Sequence, residues 1–432
     1  MNYSNEQFEE FQQRLEPCRE DAELLWDVRD ALFMCAYYGH KKRQDIIYLI
    51  PGGWLLLFCY NYLRDRKKVR GHDEGLFPKA RRHFLILSRR NNHTGRMNFL
   101  LRKERQSSNW TAWCTGPELA DGVKSIDQDR LHSIECVWCK HSTLRHIFDT
   151  VKLVRLLKRV LPDEINSTQW GTIRAYLIRF FAWRDFWGNQ ITKETEFVVT
   201  TYEKSEVAKA MFYVAKEKKV PQRIHWVHGL RHASLQSTLS TELWCMTPGD
   251  VRFFKKRVPN FCTPRVKKNP EALELAETIG VLDPATIDNQ MPIHFLFLGP
   301  GLETSYTKEM RMADLAVIRK IQLDLGSDIS FRFRPHPSAV ERFHNELDEA
   351  NIEVEDFSSR HLHDDLKWAH AVGSSWSSLL LDIQETGRAI FWVQAEIRNL
   401  GAVDELIADG IGIHLSHLSA TQKLRTFLSS RK

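Results

Sequence analysis

Four short segments of this 432-residue chain carry side chains suited to handling a phosphate. The first is Gly373-Ser374-Ser375-Trp376-Ser377-Ser378. Hydroxyls and unpaired backbone N–H groups at the start of a helix favour an anion, because the donors and the helix dipole both point toward it. A single serine would read as an ordinary N-cap; four serines in six residues, behind a glycine, exceed what a cap needs. The second is Arg334-Pro335-His336-Pro337. Proline on either side fixes the backbone, so His336 is presented rigidly and can donate to a phosphate that departs with negative charge. Arg334 is a second phosphate donor or a salt-bridge partner, and the plainer alternative for His336 is a helix-capping turn.

The third segment is His228-Gly229, with Arg231 and His232 close behind. Glycine permits close backbone approach to a ligand, which makes His228 a candidate catalytic residue; the alternative is a plain strand-end turn. The fourth is Gly299-Pro300-Gly301, with Ser305 and Thr307 following. It is either a ligand-proximal turn or a structural one. Two other clusters have metal-like spacing. Cys136-Val137-Trp138-Cys139 is a CxxC with no second copy, so a zinc site is incomplete. His361-Leu362-His363-Asp364-Asp365 reads more simply as a helix start capped by Asp364 or Asp365. No metal ligand is expected from either.

Each of the four phosphate-type segments follows a predicted strand. Phe197–Thr201 reads as a strand, Glu203–Lys218 as a helix and Arg223–Val227 as a strand, which is one βαβ unit. Pro259–Asp288, rich in Pro, Lys and Asn, reads as a linker. Beyond it the alternation resumes: strand Ile293–Leu298, helix Lys308–Leu325, strand Ile329–Phe333, helix Glu341–Ala350 and a short strand Ile352–Val354. A helical turn Asp364–Ala369, strand Ala371–Val372, a helix from the serine segment to Glu385 and strand Ala389–Val393 complete it. This is an α/β pattern of parallel sheets covered by helices. The expected organisation is an N-terminal Rossmann-like domain over 1–258 with basic helical insertions, a linker over 259–289 and a C-terminal Rossmann-like domain over 290–432. The two domains would face across a central cleft, with ligand at the carboxyl ends of the strands. Residues 1–190 show no readable order.

Composition agrees with an ordinary folded chain: 43% hydrophobic and 27% charged residues exclude low-complexity disorder, collagen and a small disulfide scaffold. Thirteen Trp favour aromatic-rich cores or sugar-stacking surfaces. The acidic, amphipathic N-terminus is unlike a signal peptide. Ile46–Cys59 is too short to span a bilayer and is interrupted by Pro51-Gly52-Gly53, so it reads as a buried strand or strand–turn. A cytoplasmic location with eight reduced cysteines is expected. The net charge of +6 conceals a basic stretch, Arg64–Arg105, and a second one, Val151–Leu161, where Lys152, Arg155 and Arg159 share a helix face. That face is either solvated or meets an acidic glycan acceptor or anionic headgroups at the inner membrane. Nucleic acid is not an expected partner, since no zinc-finger spacing or RNA-binding aromatic signature is present.

Taken in order, Thr200-Thr201-Tyr202-Glu203, His228-Gly229, the Arg-Pro-His-Pro segment, and the serine segment with Asp382 and Gly387-Arg388-Ala389 resemble bacterial GT-B transferases of surface polysaccharide synthesis. That clan holds polysialyl- and other sialyltransferases, capsule Kdo transferases and CDP-glycerol glycerophosphotransferases, and the resemblance spans roughly Glu196–Leu415. It implies a GT-B fold and a cytidine-nucleotide donor whose phosphate meets His336, Ser374, Ser375, Ser377 and Ser378, with Gly299, Gly301 and Arg334 nearby. Asp382 stands where the family usually has Glu, and Trp376 interrupts the serine run. The acidic pair followed by Gly that serves as base in sialyltransferases has no copy here; Glu203 and His228 are the substitutes. The resulting expectation is a metal-independent transferase with no cofactor, using a CMP-linked nonulosonate (sialic acid or Kdo type) as co-substrate and a capsule or lipopolysaccharide glycan, anionic or lipid-linked, as acceptor. The alternatives are a CDP-glycerol or CDP-ribitol phosphotransferase, a nucleotide-sugar epimerase, and a non-catalytic surface-polysaccharide assembly protein.

Overall fold

A computed structural model describes residues 5–19, 23–37, 53–69, 80–87, 96–97, 99–102, 109–115, 130–161, 165–203, 205–227, 239–283, 292–301, 306–354, 356–396 and 403–429. Short runs, about half of whose residues are aromatic or β-branched, form two sheets in which every strand pair is parallel. The first sheet contains β1 (Arg82–Ile86), β2 (Trp110–Cys114), β3 (Leu131–Ser133), β4 (Phe197–Thr200), β5 (Gln222–Trp226), β6 (Glu242–Cys245) and β7 (Thr263–Val266). Its order is β3-β2-β1-β4-β5-β6-β7. The second contains β8 (Ile293–Leu298), β9 (Ile329–Arg334), β10 (Asp356–Phe357), β11 (Ala371–Ser374), β12 (Ala389–Val393) and β13 (Ile413–Leu415), in the order β10-β9-β8-β11-β12-β13. Both orders run outward from a central pair, β1/β4 and β8/β11, where the winding reverses. Such a switch point opens a crevice at the carboxyl ends of the strands. Two Rossmann-like doubly wound sheets are the α/β composition of a GT-B fold.

Among the described residues, the chain up to Lys267 forms one compact unit and the chain from Lys268 onward the other. The expected linker is therefore corrected. Its first part is β7, the edge of the first sheet, where Pro264 lacks an N–H without breaking an interior ladder. Its second part is the Pro270–Ile279 helix, with Pro270 in the first turn and Asn269 accepting the Glu271 N–H at 3.2 Å. Gly53–Cys59 is likewise the start of a Gly53–Val69 helix rather than a strand; Ile46–Gly52 lies outside the described residues. That segment has no β-branched residue before Val69, and its last turns are basic, which suits a helix C-terminus. Among the described residues no helix is long and apolar enough to cross a membrane. Ile352–Val354 is irregular, and pairing with β9 begins only at Asp356.

The 24-residue Ser167–Gln190 helix is buried along most of its length, and its apolar residues are not confined to one face. Its Phe186 and Trp187 meet Trp113 of β2 edge-on at 5.5 and 5.4 Å between ring centroids. The indole N–H of Trp187 donates to the Val207 carbonyl at 2.9 Å. Trp113, Trp187, Trp226 and Trp392 are fully buried; these four tryptophans build core, not a sugar-stacking surface.

Beside this cluster, the Trp113 indole donates to His83 Nδ1 at 3.1 Å, which requires a neutral ring. Burial pushes the His83 pKa down to about 4 from 6.5. Between those values the unfolded chain binds the proton and the folded chain does not, so stability falls as pH drops through that window. The loss approaches about 3 kcal/mol at its acid end. Urea melts between pH 7 and 4 should show this decline, and His83→Phe, although less stable overall, should flatten it. An unchanged slope in that variant would assign the acid sensitivity elsewhere.

Candidate functional site

The second sheet brings three of the four segments to one place. β8 lies between β9 and β11, so Gly299–Gly301, the His336 turn and the serine segment all leave the carboxyl ends of neighbouring strands. The Gly299 N–H donates to the Arg334 carbonyl at 2.8 Å. Arg342 Nη2 donates to the carbonyls of Pro300 and Gly301 at 2.9 and 3.1 Å and holds that turn. A Cβ on Gly301 would sit 3.4 Å from the His336 ring, so the turn passes directly against the imidazole.

His336 is exposed. Its Nδ1 accepts the Ser338 backbone N–H at 3.2 Å and lies 2.8 Å from Ser338 Oγ. An acceptor at Nδ1 places the proton of the neutral ring on Nε2, making that atom a donor. The flanking prolines predicted the presentation of His336; Ser338, two residues on, fixes its tautomer and was not anticipated.

The serine segment differs from its sequence reading. Gly373 and Ser374 are the last residues of β11, and the following helix, Leu379–Ile383, has five residues and no side-chain cap. Gly373 is required there because a Cβ would stand 2.5 Å from the Phe295 ring. Ser374 is fully buried; its hydroxyl donates to the Leu298 carbonyl at 2.8 Å and accepts the Trp376 N–H at 3.3 Å. Ser374 therefore ties β8 to β11 at the switch point and does not offer its hydroxyl to a ligand. Ser375 is also buried, its carbonyl accepting Gln394 Nε2 at 2.8 Å. Ser377 and Ser378 are half-buried, and Ser377 Oγ accepts the Leu379 N–H at 3.3 Å. Asp382 accepts from Asn269 Nδ2 at 2.7 Å, so one of its oxygens docks the Pro270–Ile279 helix.

Arg334 takes the salt-bridge alternative. Its Nη1 donates to Asp365 Oδ2 at 2.6 Å and to the Arg360 carbonyl at 2.8 Å. The fully buried Asp365 also accepts Arg332 Nη1 at 3.2 Å and both of its oxygens face the Ser358 hydroxyl. The expectation that Asp364 or Asp365 caps the Leu362–Trp368 helix is corrected: the N-cap is His361, without a side-chain bond, and Asp365 neutralises two arginines.

In the first unit, Glu203 is fully enclosed. Its Oε1 accepts Lys209 Nζ at 2.7 Å and the Leu239 N–H at 3.1 Å, and its Oε2 accepts the Ser240 hydroxyl at 2.6 Å. Lys209 also donates to Asp30 at 2.9 Å. Burial pushes the Lys209 ammonium down, but Asp30 and Glu203 outweigh it and hold its pKa above the ordinary value. A carboxylate so committed is a structural anion, and Glu203 is withdrawn as catalytic base. His228 and Gly229 lie outside the described residues. Lys152, Arg155 and Arg159 are exposed on the Leu144–Val160 helix.

Among the described residues no group of three or more His, Cys, Asp or Glu could hold a metal. Burial pushes the Cys139 thiol up to about 12.

No protein-family profile and no curated protein matches the chain. Among solved structures it is similar to the UDP complex of S. aureus MnaA, with 11% identity and a TM-score of 0.45 over 80% of this chain and 88% of that one. It is also similar to UDP-GlcNAc 2-epimerase from Neisseria meningitidis bound to UDP-GlcNAc, with 11% identity and a TM-score of 0.47 over 81% and 94%. A third is the wall teichoic acid polymerase TagF, with 9% identity and a TM-score of 0.41 over 88% and 89%.

Proposed function

We propose that the chain is a cytoplasmic glycosyltransferase that moves a sugar, a CMP-activated nonulosonate of the sialic acid or Kdo type, onto a capsule or lipopolysaccharide glycan. The observation that carries this reading is His336: an exposed imidazole, held as the Nε2–H tautomer by Ser338, at the carboxyl end of a doubly wound sheet. In transfer, the bond between the anomeric carbon and the phosphate oxygen breaks and the acceptor hydroxyl forms the new bond. Negative charge gathers on the departing phosphate, where Nε2–H stabilises it. Ser377 and Ser378 supply further donors, Gly301 lets backbone approach the same spot, and these groups rather than a metal offset the charge. Glu203, caged by Lys209 and Ser240, is not available to take the acceptor's proton.

Product analysis tests the reading. The full chain is incubated with CMP-, CDP- and UDP-linked donors, with and without an acceptor glycan. Release of CMP with growth of the glycan by an unphosphorylated sugar is the expected result. Glycan growth that includes phosphate identifies an alditol-phosphate transferase, and an epimerised donor without acceptor identifies an epimerase. Either would overturn the proposed transfer, and so would no turnover at all, the outcome for a non-catalytic assembly protein.

A further inference from the structure

We infer that the exposed face of the Leu144–Val160 helix is a docking surface for an anionic lipid bilayer, entered by Leu144 and Phe148 and held on the headgroups by Lys152, Arg155 and Arg159. This surface lies in the first unit and stands independently of the donor chemistry proposed above.

At 3.6 residues per turn, positions 144, 148, 152, 155 and 159 fall within an arc of about 80°. All five are exposed. Leu144 is 74% and Phe148 72% exposed, one turn apart. Single exposed apolar residues are ordinary on protein surfaces, but two large ones joined to a basic stripe form a feature that calls for a partner. The opposite face buries His146, Thr150, Val154 and Leu157, so the helix is anchored. His146 Nε2 lies 2.9 Å from Asp185 on the long helix behind it, and His146 Nδ1 accepts the Thr143 N–H at 3.3 Å at the helix N-terminus. The stripe is thus presented on a fixed scaffold.

Charge along the helix is segregated. Among the described residues, Lys152, Arg155 and Arg159 make no ion pair, whereas Asp149, at the edge of the stripe, is 3.7 Å from Arg145. A favourable helix dipole explains basic residues in the last turn. It does not explain Phe148 and Leu144 at the other end. An acidic glycan would satisfy the cations and leave those two side chains in water. An anionic bilayer satisfies both ends, with headgroups on the cations and the boundary of the hydrocarbon on Leu144 and Phe148.

Cosedimentation of the full chain with vesicles tests this, using phosphatidylcholine alone and phosphatidylcholine mixed with phosphatidylglycerol. Binding is expected only to the mixed vesicles and should weaken as salt rises. Lys152→Glu with Arg155→Glu and Arg159→Glu should reduce it by about tenfold or more. Phe148→Ser, which leaves charge unchanged, should reduce it by about tenfold. Both variants alter exposed positions, and matching thermal melts would show that the fold is kept; a variant that melts early is replaced by Lys152→Gln with Arg155→Gln, or by Phe148→Asn. Equal binding to both vesicle types, no vesicle binding, or indifference to either set of substitutions would overturn the inference. Capture by dextran sulfate without vesicle binding would overturn it in favour of an acidic polymer.

Discussion

His336→Ala is expected to lower donor turnover by roughly 10²–10³-fold, the range found when one preorganised donor to a developing anion is removed. The effect should fall mainly on kcat, because the Nε2–H bond strengthens as charge accumulates on the phosphate and is weaker to the bound donor. His336→Gln, whose amide can place an N–H near the former Nε2, should recover part of the loss. Removing an exposed ring that packs on a glycine turn should leave the melting temperature nearly unchanged. Steady-state kinetics with both variants separates these effects. Intact turnover in His336→Ala would remove the residue from the site, as would a loss of activity that tracks a loss of fold.

Lys209→Met should destabilise the first unit by about 3–5 kcal/mol, the cost of breaking a buried ion pair from one side. The ammonium bridges Asp30 and Glu203, and all three side chains are shielded from solvent. Without it, two carboxylates face each other with only Leu239, Ser240 and neighbouring groups to hold them. Lys216→Met provides the contrast: that lysine also bridges two carboxylates, Glu23 and Asp27, but is about one-third exposed, so its loss should cost at most about 1 kcal/mol. Urea denaturation of the two variants measures the difference. Equal midpoints would mean that the buried triad contributes nothing particular. The same network separates two roles for Glu203. As a structural anion, Glu203→Gln lowers stability and leaves turnover per folded molecule unchanged; as an acceptor base it would do the reverse.

The elements of the second unit were legible because apolar runs there are bounded by glycine and proline. Lys308–Leu325 and Ala389–Val393 begin and end where the pattern places them. His336 was legible for a related reason, since prolines on both sides mark a rigid strand end. Contacts across long stretches of sequence were not. Glu203 looked free because Asp30, which completes its cage through Lys209, lies 179 residues from that lysine on an N-terminal helix with no readable order. Arg334 resembled a phosphate donor because Asp365, its partner, is 31 residues away and looked like a cap. Ser374 looked like a ligand hydroxyl until β11 was placed beside β8. Pro264 and Pro270 suggested a linker because the two tolerated positions for proline, an edge strand and a first helical turn, share the composition of one.

Calorimetric titration of CMP, CDP, UDP and GDP into the full chain, repeated with His336→Ala, tests the nucleotide-sugar reading most directly. One site that prefers CMP, weakened in the variant, is the predicted result. Absence of binding by all four nucleotides, or binding of any of them that ignores His336, would contradict it.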